Sequence, residues 1–134
     1  MEFGHLSWPA TAPQLIPIQS AVQRWLLPVR LTPSAADGLV CATCEAARNA
    51  VEHAYLPATE DDTVDVIFWT EVDAVCIEVV DHGRWRIPPV DLTGRGIPMM
   101  LRAVDSVAIH YNSRGTQVLL RSHQTPRLGR AAVA

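Results

Sequence analysis

Four short groups of residues in this chain carry side chains or backbone suited to chemistry. Glu45 and Asn49 lie within Glu45-Ala46-Ala47-Arg48-Asn49-Ala50-Val51-Glu52-His53-Ala54-Tyr55. On a helix this spacing puts a carboxylate and a carboxamide one turn apart, with Glu52 beside them. A carboxylate can take a proton, and a carboxamide oxygen is a hard ligand for a divalent cation. Asp81-His82-Gly83 follows a run of β-formers. An aspartate at a strand end can accept a hydrogen bond from an exocyclic amine such as that of adenine, and a nearby glycine lets a flat ring approach the backbone. Alone, the same pair is an ordinary turn. Gly94-Arg95-Gly96 precedes a helical pattern. Two glycines, a helix N-terminus and a guanidinium suit a phosphate chain, although the lysine of a P-loop and the third glycine of a dinucleotide fingerprint are missing. Gly115-Thr116 opens the last β-rich run, where a simple hairpin turn is the plainer reading.

These groups need elements to hold them. The helix bearing Glu45 and Asn49 is expected from near Pro33, with Thr32 or Ser34 as cap, to Leu56-Pro57. Val40, Cys44, Ala47, Val51 and Tyr55 fall on one apolar face. Ala42, Ala46 and Ala50 flank the polar stripe and are expected to leave room for a ligand. Before it, Phe3 to Trp8 reads as a strand, Trp8 to Pro13 as a loop, and Gln14 to Leu27 as an amphipathic helix with Pro17 in its first turn. After an acidic loop, 63–70 alternates as a strand and 74–80 is the returning strand of a hairpin turning at Glu71-Val72-Asp73. Residues 84–93 read as a loop, 97–104 as a helix, and 106–111 and 116–121 as strands joined by a turn at 112–115. The order predicts an α+β fold: a two-layer α/β sandwich with a mainly antiparallel mixed sheet and helices on one face. One domain is expected over residues 1–125, and residues 126–134 as a flexible tail.

The chain has 134 residues and a formal net charge of -3. That excludes broad nucleic-acid binding, which needs a basic face, but not a local pocket for a small anion. No apolar run approaches the ~18 residues that span a bilayer. The first residues lack a signal-peptide pattern, so a cytoplasmic location is expected. The three cysteines, Cys41, Cys44 and Cys76, are an odd count that argues against a disulfide framework. Cys41-x-x-Cys44 has no second cysteine pair to complete a zinc site, so Cys44 and Cys76 are expected to fill the core.

Taken together and in order, the four groups resemble the ATP-binding domain of the GHKL superfamily, and within it the anti-sigma-factor serine kinase branch. Glu45 to Tyr55 is similar to that branch's N box, Glu-Ala-x-x-Asn-Ala-x-x-His-Ala-Tyr. Asp81-His82-Gly83 resembles the adenine box. Gly94-Arg95-Gly96-Ile97 with Met99-Met100 and Val104 to Val107 is similar to the second glycine box and the helix and strand beyond it. Gly115-Thr116-Gln117-Val118 matches the closing Gly-Thr-x-Val. The resemblance covers about residues 3 to 122.

The resemblance implies a histidine-kinase-like (Bergerat-type) fold and an ATP- and Mg²⁺-dependent serine-protein kinase. Its substrate would be an anti-anti-sigma (STAS) protein, and a sigma factor would be a second partner. Asn49 would hold Mg²⁺ and Glu45 would be the general base. Asp81 would read the adenine amine, with Gly83 beside the ring and Thr116 on the same side. Gly94, Arg95 and Gly96 would lie along the phosphates. Relatives often form homodimers. Two departures stand out: the segment from Arg84 to Thr93 is short for an ATP lid, and Pro98 replaces a small or aliphatic residue. They leave open a nucleotide-dependent binding module with weak or lost transfer, or a domain of a larger phosphatase/kinase regulator.

Overall fold

The computed structural model describes residues 3–55, 57–85 and 96–126. Five strands form one sheet: β1 (Phe3–Pro9), β2 (Thr63–Thr70), β3 (Ala74–Asp81), β4 (Ser106–Asn112) and β5 (Gly115–His123). Their spatial order is β1-β2-β3-β5-β4, and all four pairings are antiparallel. Among the described residues, three α-helices accompany it: α1 (Leu15–Leu26), α2 (Pro33–His53) and α3 (Gly96–Ala103). The expected order of elements and the α+β class are observed. Boundaries differ by a few residues, and a 3-10 turn at Ala12–Gln14 replaces part of the expected loop before α1.

The pleat explains the layers. Along β2 the residues Val64, Val66, Phe68 and Thr70 are buried while their neighbours are half-exposed. In register with them, Ile77 and Val79 of β3 and Val118 and Leu120 of β5 point to the same side. Ile18, Val22 and Leu26 of α1, Leu39 and the small residues of α2, and Met100 of α3 complete that core. Trp25 of α1 stacks on Phe68 with ring centroids 5.5 Å apart. Central strand β3 is buried on nearly every residue, including Cys76 on the opposite face. Burial, with Glu71 beside it, pushes the Cys76 thiol up to about 11, so it stays a neutral, unreactive core group.

α2 starts as its sequence implies. The Thr32 hydroxyl accepts from the Ala35 N–H at 3.1 Å, and Pro33 occupies the first turn. Its buried face departs from expectation. Ala42, Ala46 and Ala50 do not line open space for a ligand; all three are buried in the core, with Leu39, Thr43 and Ala47. Val40 and Tyr55 are buried as expected, whereas Cys44 and Val51 are only half-buried. The reason is steric. A wheel weighted by large apolar side chains misses alanines, yet alanines let a helix sit closest to its neighbours. Thr43 is tolerated there because its hydroxyl donates to the Leu39 carbonyl at 2.7 Å.

A similar close approach fixes α3. A Cβ added to Gly38 would stand 2.0 Å from the Ala103 carbonyl oxygen. Gly38→Ala should therefore lose about 2 kcal/mol of stability despite alanine's higher helix propensity, because α2 and α3 must move apart. Urea unfolding of the two proteins reads this directly, and an unchanged or higher midpoint would contradict the tight crossing.

Beyond the expected end of the last strand, Gln124 bonds the β2–β3 turn at Glu71, Asp73 and Ala74, and Thr125 bonds the α1–α2 connection. Thr125 N–H donates to the Arg30 carbonyl at 2.7 Å and Arg30 Nε donates back to the Thr125 carbonyl at 2.9 Å. Asp105, between α3 and β4, accepts from the His123 N–H and pairs with its ring Nδ1, each at 2.7 Å. These contacts hold the Asp105 carboxyl below the usual carboxylate range. A depressed acid stabilises the fold above its unfolded value and loses that contribution as pH falls through its folded value. The stability difference between wild type and Asp105→Asn should therefore be present at neutral pH and vanish as pH falls through the lowered value of the folded carboxyl. Unfolding curves at a series of pH values measure it; a difference that grows on acidification would refute the assignment.

Candidate functional site

The C-terminal end of α2 meets the end of β3. Tyr55, just past the helix, donates its hydroxyl to the Thr63 carbonyl at 2.7 Å and accepts from the His82 N–H at 2.8 Å. The Arg84 N–H donates to the Ala54 carbonyl at 2.8 Å. Gly83 lies flat against that turn, since a Cβ there would be 2.0 Å from the Ala54 carbonyl oxygen. So the backbone from 82 to 84 is pinned to the helix end, and only glycine fits at its centre.

Asp81 is the last residue of β3, and it is only 3% exposed. Its Oδ1 accepts from two backbone N–H groups, Gly83 at 3.1 Å and Thr116 at 3.2 Å. Its Oδ2 accepts from the Trp85 indole Nε1–H at 3.0 Å. Thr116 is its register partner across the β3–β5 pairing. Burial pushes the Asp81 carboxyl up, and the Trp85, Gly83 and Thr116 donors work against that shift. At this site Gly115 adopts φ +147°, and a Cβ there would stand 2.0 Å from the Asp81 carbonyl oxygen. The Gly-Thr pair thus brings the Thr116 N–H to the carboxylate. A buried aspartate with one oxygen satisfied by the main chain can present the other to an N–H donor.

Glu45, Asn49 and His53 follow one stripe of α2, spaced by fours. His53, at its C-terminal end, sits beside Trp85 with ring centroids 5.2 Å apart. Asn49 and Glu45 therefore lie about 6 and 12 Å further back along the helix axis. The Glu45 side chain is 16% exposed and pairs with Arg48 at 3.3 Å. Asn49 is half-buried, and its carboxamide has no hydrogen-bond partner among the described residues. That leaves its oxygen available as a ligand for a cation. Among the described residues no cluster of three or more His, Cys, Asp or Glu is arranged to hold a metal ion, so a metal here would depend on the carboxamide, the ligand's own oxygens and water.

The structure thus brings Asp81, Gly83 and Thr116 into one hydrogen-bonded group and sets the stripe of Glu45 and Asn49 running away from it. Gly94 and Arg95 lie outside the described residues, and Gly96 is the first residue of α3. Sequence reading missed Trp85, which it placed in an undifferentiated loop. The signal was a bulky aromatic four residues after the aspartate, beyond a glycine.

Three comparisons bear on this arrangement. The sequence pattern of the histidine kinase-like ATPase domain matches residues 8–122. No curated protein matches the chain. Among solved structures, the chain is similar to the crystal structure of the RsbU and RsbW domains of Rv1364c from Mycobacterium tuberculosis, with a TM-score of 0.76 and 23% identity. That match covers 94% of this chain and 34% of the other. The histidine kinase domain of the blue-light activated histidine kinase EL346 from Erythrobacter litoralis gives a TM-score of 0.61 at 17% identity, over 85% of this chain and 60% of that one. The chain thus spans about a third of the first structure's length and three-fifths of the second's. At these identities the structures speak for the fold, while the family pattern runs from β1 through nearly all of β5 and takes in both Asp81 and the helix of Glu45 and Asn49. The chain therefore belongs to the histidine kinase-like ATPase domain family.

Proposed function

We propose that this chain binds ATP with Mg²⁺ and transfers the γ-phosphoryl group to a serine of an anti-anti-sigma (STAS) protein. A sigma factor is the second partner in this reading, and the cytoplasm its location. The observation that carries it is the buried Asp81 carboxylate at the end of the helix bearing Glu45 and Asn49. Asp81 Oδ2 would accept the adenine amine while Gly83 and Thr116 hold Oδ1. Asn49 would offer its oxygen to Mg²⁺, which supplies positive charge beside the phosphates when bound. Gly94, Arg95 and Gly96 would follow the phosphates at the start of α3. Glu45 would accept the serine proton as the serine oxygen bonds to the γ-phosphorus, the bond to the bridging oxygen breaks, and ADP leaves. The resemblance of Glu45 to Tyr55 to the N box of the anti-sigma branch supports that branch, and the fold shared with the structure that contains the M. tuberculosis RsbW domain is compatible with it.

By its resemblance to the family, the sequence from Arg84 to Thr93 is short for an ATP lid, and this favours a second reading: a nucleotide-dependent module that binds a regulator without transfer, alone or within a larger phosphatase/kinase regulator. Incubation with γ-labelled ATP, Mg²⁺ and a panel of STAS proteins separates the two. Label on a STAS serine is the expected result. ATP binding with no transfer to any partner would rule out the kinase and leave the binding module.

A further inference from the structure

Asp81 Oδ2, the oxygen left for a ligand once the main chain has taken Oδ1, is not free. The Trp85 indole donates to it at 3.0 Å. The indole is half-buried, packs against the core cluster, and has the His53 ring 5.2 Å away. Indole and adenine are both flat fused bicycles that present an N–H at one edge. Two such rings cannot both lie against the same oxygen in the same place. We propose that Trp85 is an internal ligand of Asp81, occupying the adenine position until a nucleotide displaces it. This rests on the reading of Asp81 as the adenine acceptor.

The backbone limits how the displacement happens. The Gly83 N–H is bound to Asp81 and the Arg84 N–H to the Ala54 carbonyl. The chain is therefore held up to residue 84, and rotation about the Trp85 side-chain bonds is enough to turn the indole from Asp81 and from His53 together. A closed population of this kind lowers apparent nucleotide affinity by the fraction of molecules that are open. Phenylalanine at 85 keeps the ring and its packing but has no N–H to give.

Trp85→Phe should therefore bind ATP about tenfold more tightly than wild type in calorimetric titration, with its unfolding midpoint as the check on folding. A readout on the wild-type protein needs no substitution. Among the indole N–H signals of its four tryptophans, that of Trp85 should be protected from solvent exchange without nucleotide and lose protection when ADP is added. Wild type that binds ATP while Trp85→Phe binds equally or more weakly overturns the inference and leaves the ATP site intact. So does an indole signal that ADP leaves protected. Failure of both proteins to bind ATP overturns the inference and the adenine assignment together.

Discussion

Glu45→Gln is expected to lower phosphoryl transfer to a STAS partner by about 10²–10⁴-fold, the range over which a positioned general base accelerates a reaction, while ATP affinity stays unchanged. The substitution keeps the shape and length of the side chain and removes only its capacity to take a proton. Glutamine is nearly as good a helix former as glutamate, so α2 should keep its capped start and its packing. The lost contact is the pair with Arg48 at 3.3 Å, where the arginine is mostly exposed and the pair contributes little to stability. Transfer and binding are therefore expected to separate cleanly. Single-turnover transfer with labelled ATP measures the first and calorimetry the second. Equal transfer by wild type and variant would remove Glu45 from the chemistry. Loss of ATP affinity instead would make it a binding residue.

Asp81→Asn has the next largest expected effect, and on the other measurement. ATP affinity should fall by about 100-fold, the loss of a hydrogen bond to a charged acceptor. An amide can offer only one oxygen. If that oxygen faces the Gly83 and Thr116 N–H groups, the amide nitrogen meets the incoming amine, donor against donor. If it faces outward, the nitrogen meets two main-chain donors. Stability should move much less than affinity, because two effects oppose. Donor contacts are lost, but a buried charge whose pKa is raised by desolvation is also removed. The pH effect has a definite sign. A raised acid costs stability as pH rises from the usual carboxylate range through its folded value, and the asparagine variant lacks that slope. Undiminished ATP affinity in Asp81→Asn would show that the base is read elsewhere.

The fold was largely legible because its signals are local and redundant. β2 alternates, the turns at 71–73 and 112–115 are short, and Pro33 after Thr32 marks the start of α2. What the sequence hid is whatever depends on neighbours distant along the chain. The alanines of α2 looked like space for a ligand because nothing local says that core side chains will fill it. The role of Gly38 depends on Ala103, and that of Gly83 on Ala54. The candidate site divides the same way. Asp81, Gly83 and Thr116 were nameable from their motifs, but the hydrogen bonds that join them were not, because they depend on the β3–β5 pairing and the turn at Gly83. Trp85 was not nameable, because its significance lies in where its ring turns rather than in its type.

Asp81 is served by three donors, and two of them belong to the main chain. No exchange of side chain at position 116 can delete its N–H; only proline would. Gly83 is fixed by its lack of room, but what it gives the carboxylate is equally anonymous. The environment of Asp81 is thus written mostly in backbone, which many sequences can encode. A lineage can replace most of its residues and still deliver the same two N–H groups to the same oxygen, provided that the strand pairing and one tight turn survive. The one donor exposed to substitution is Trp85, so divergence among such domains has a single place in this triad at which to act.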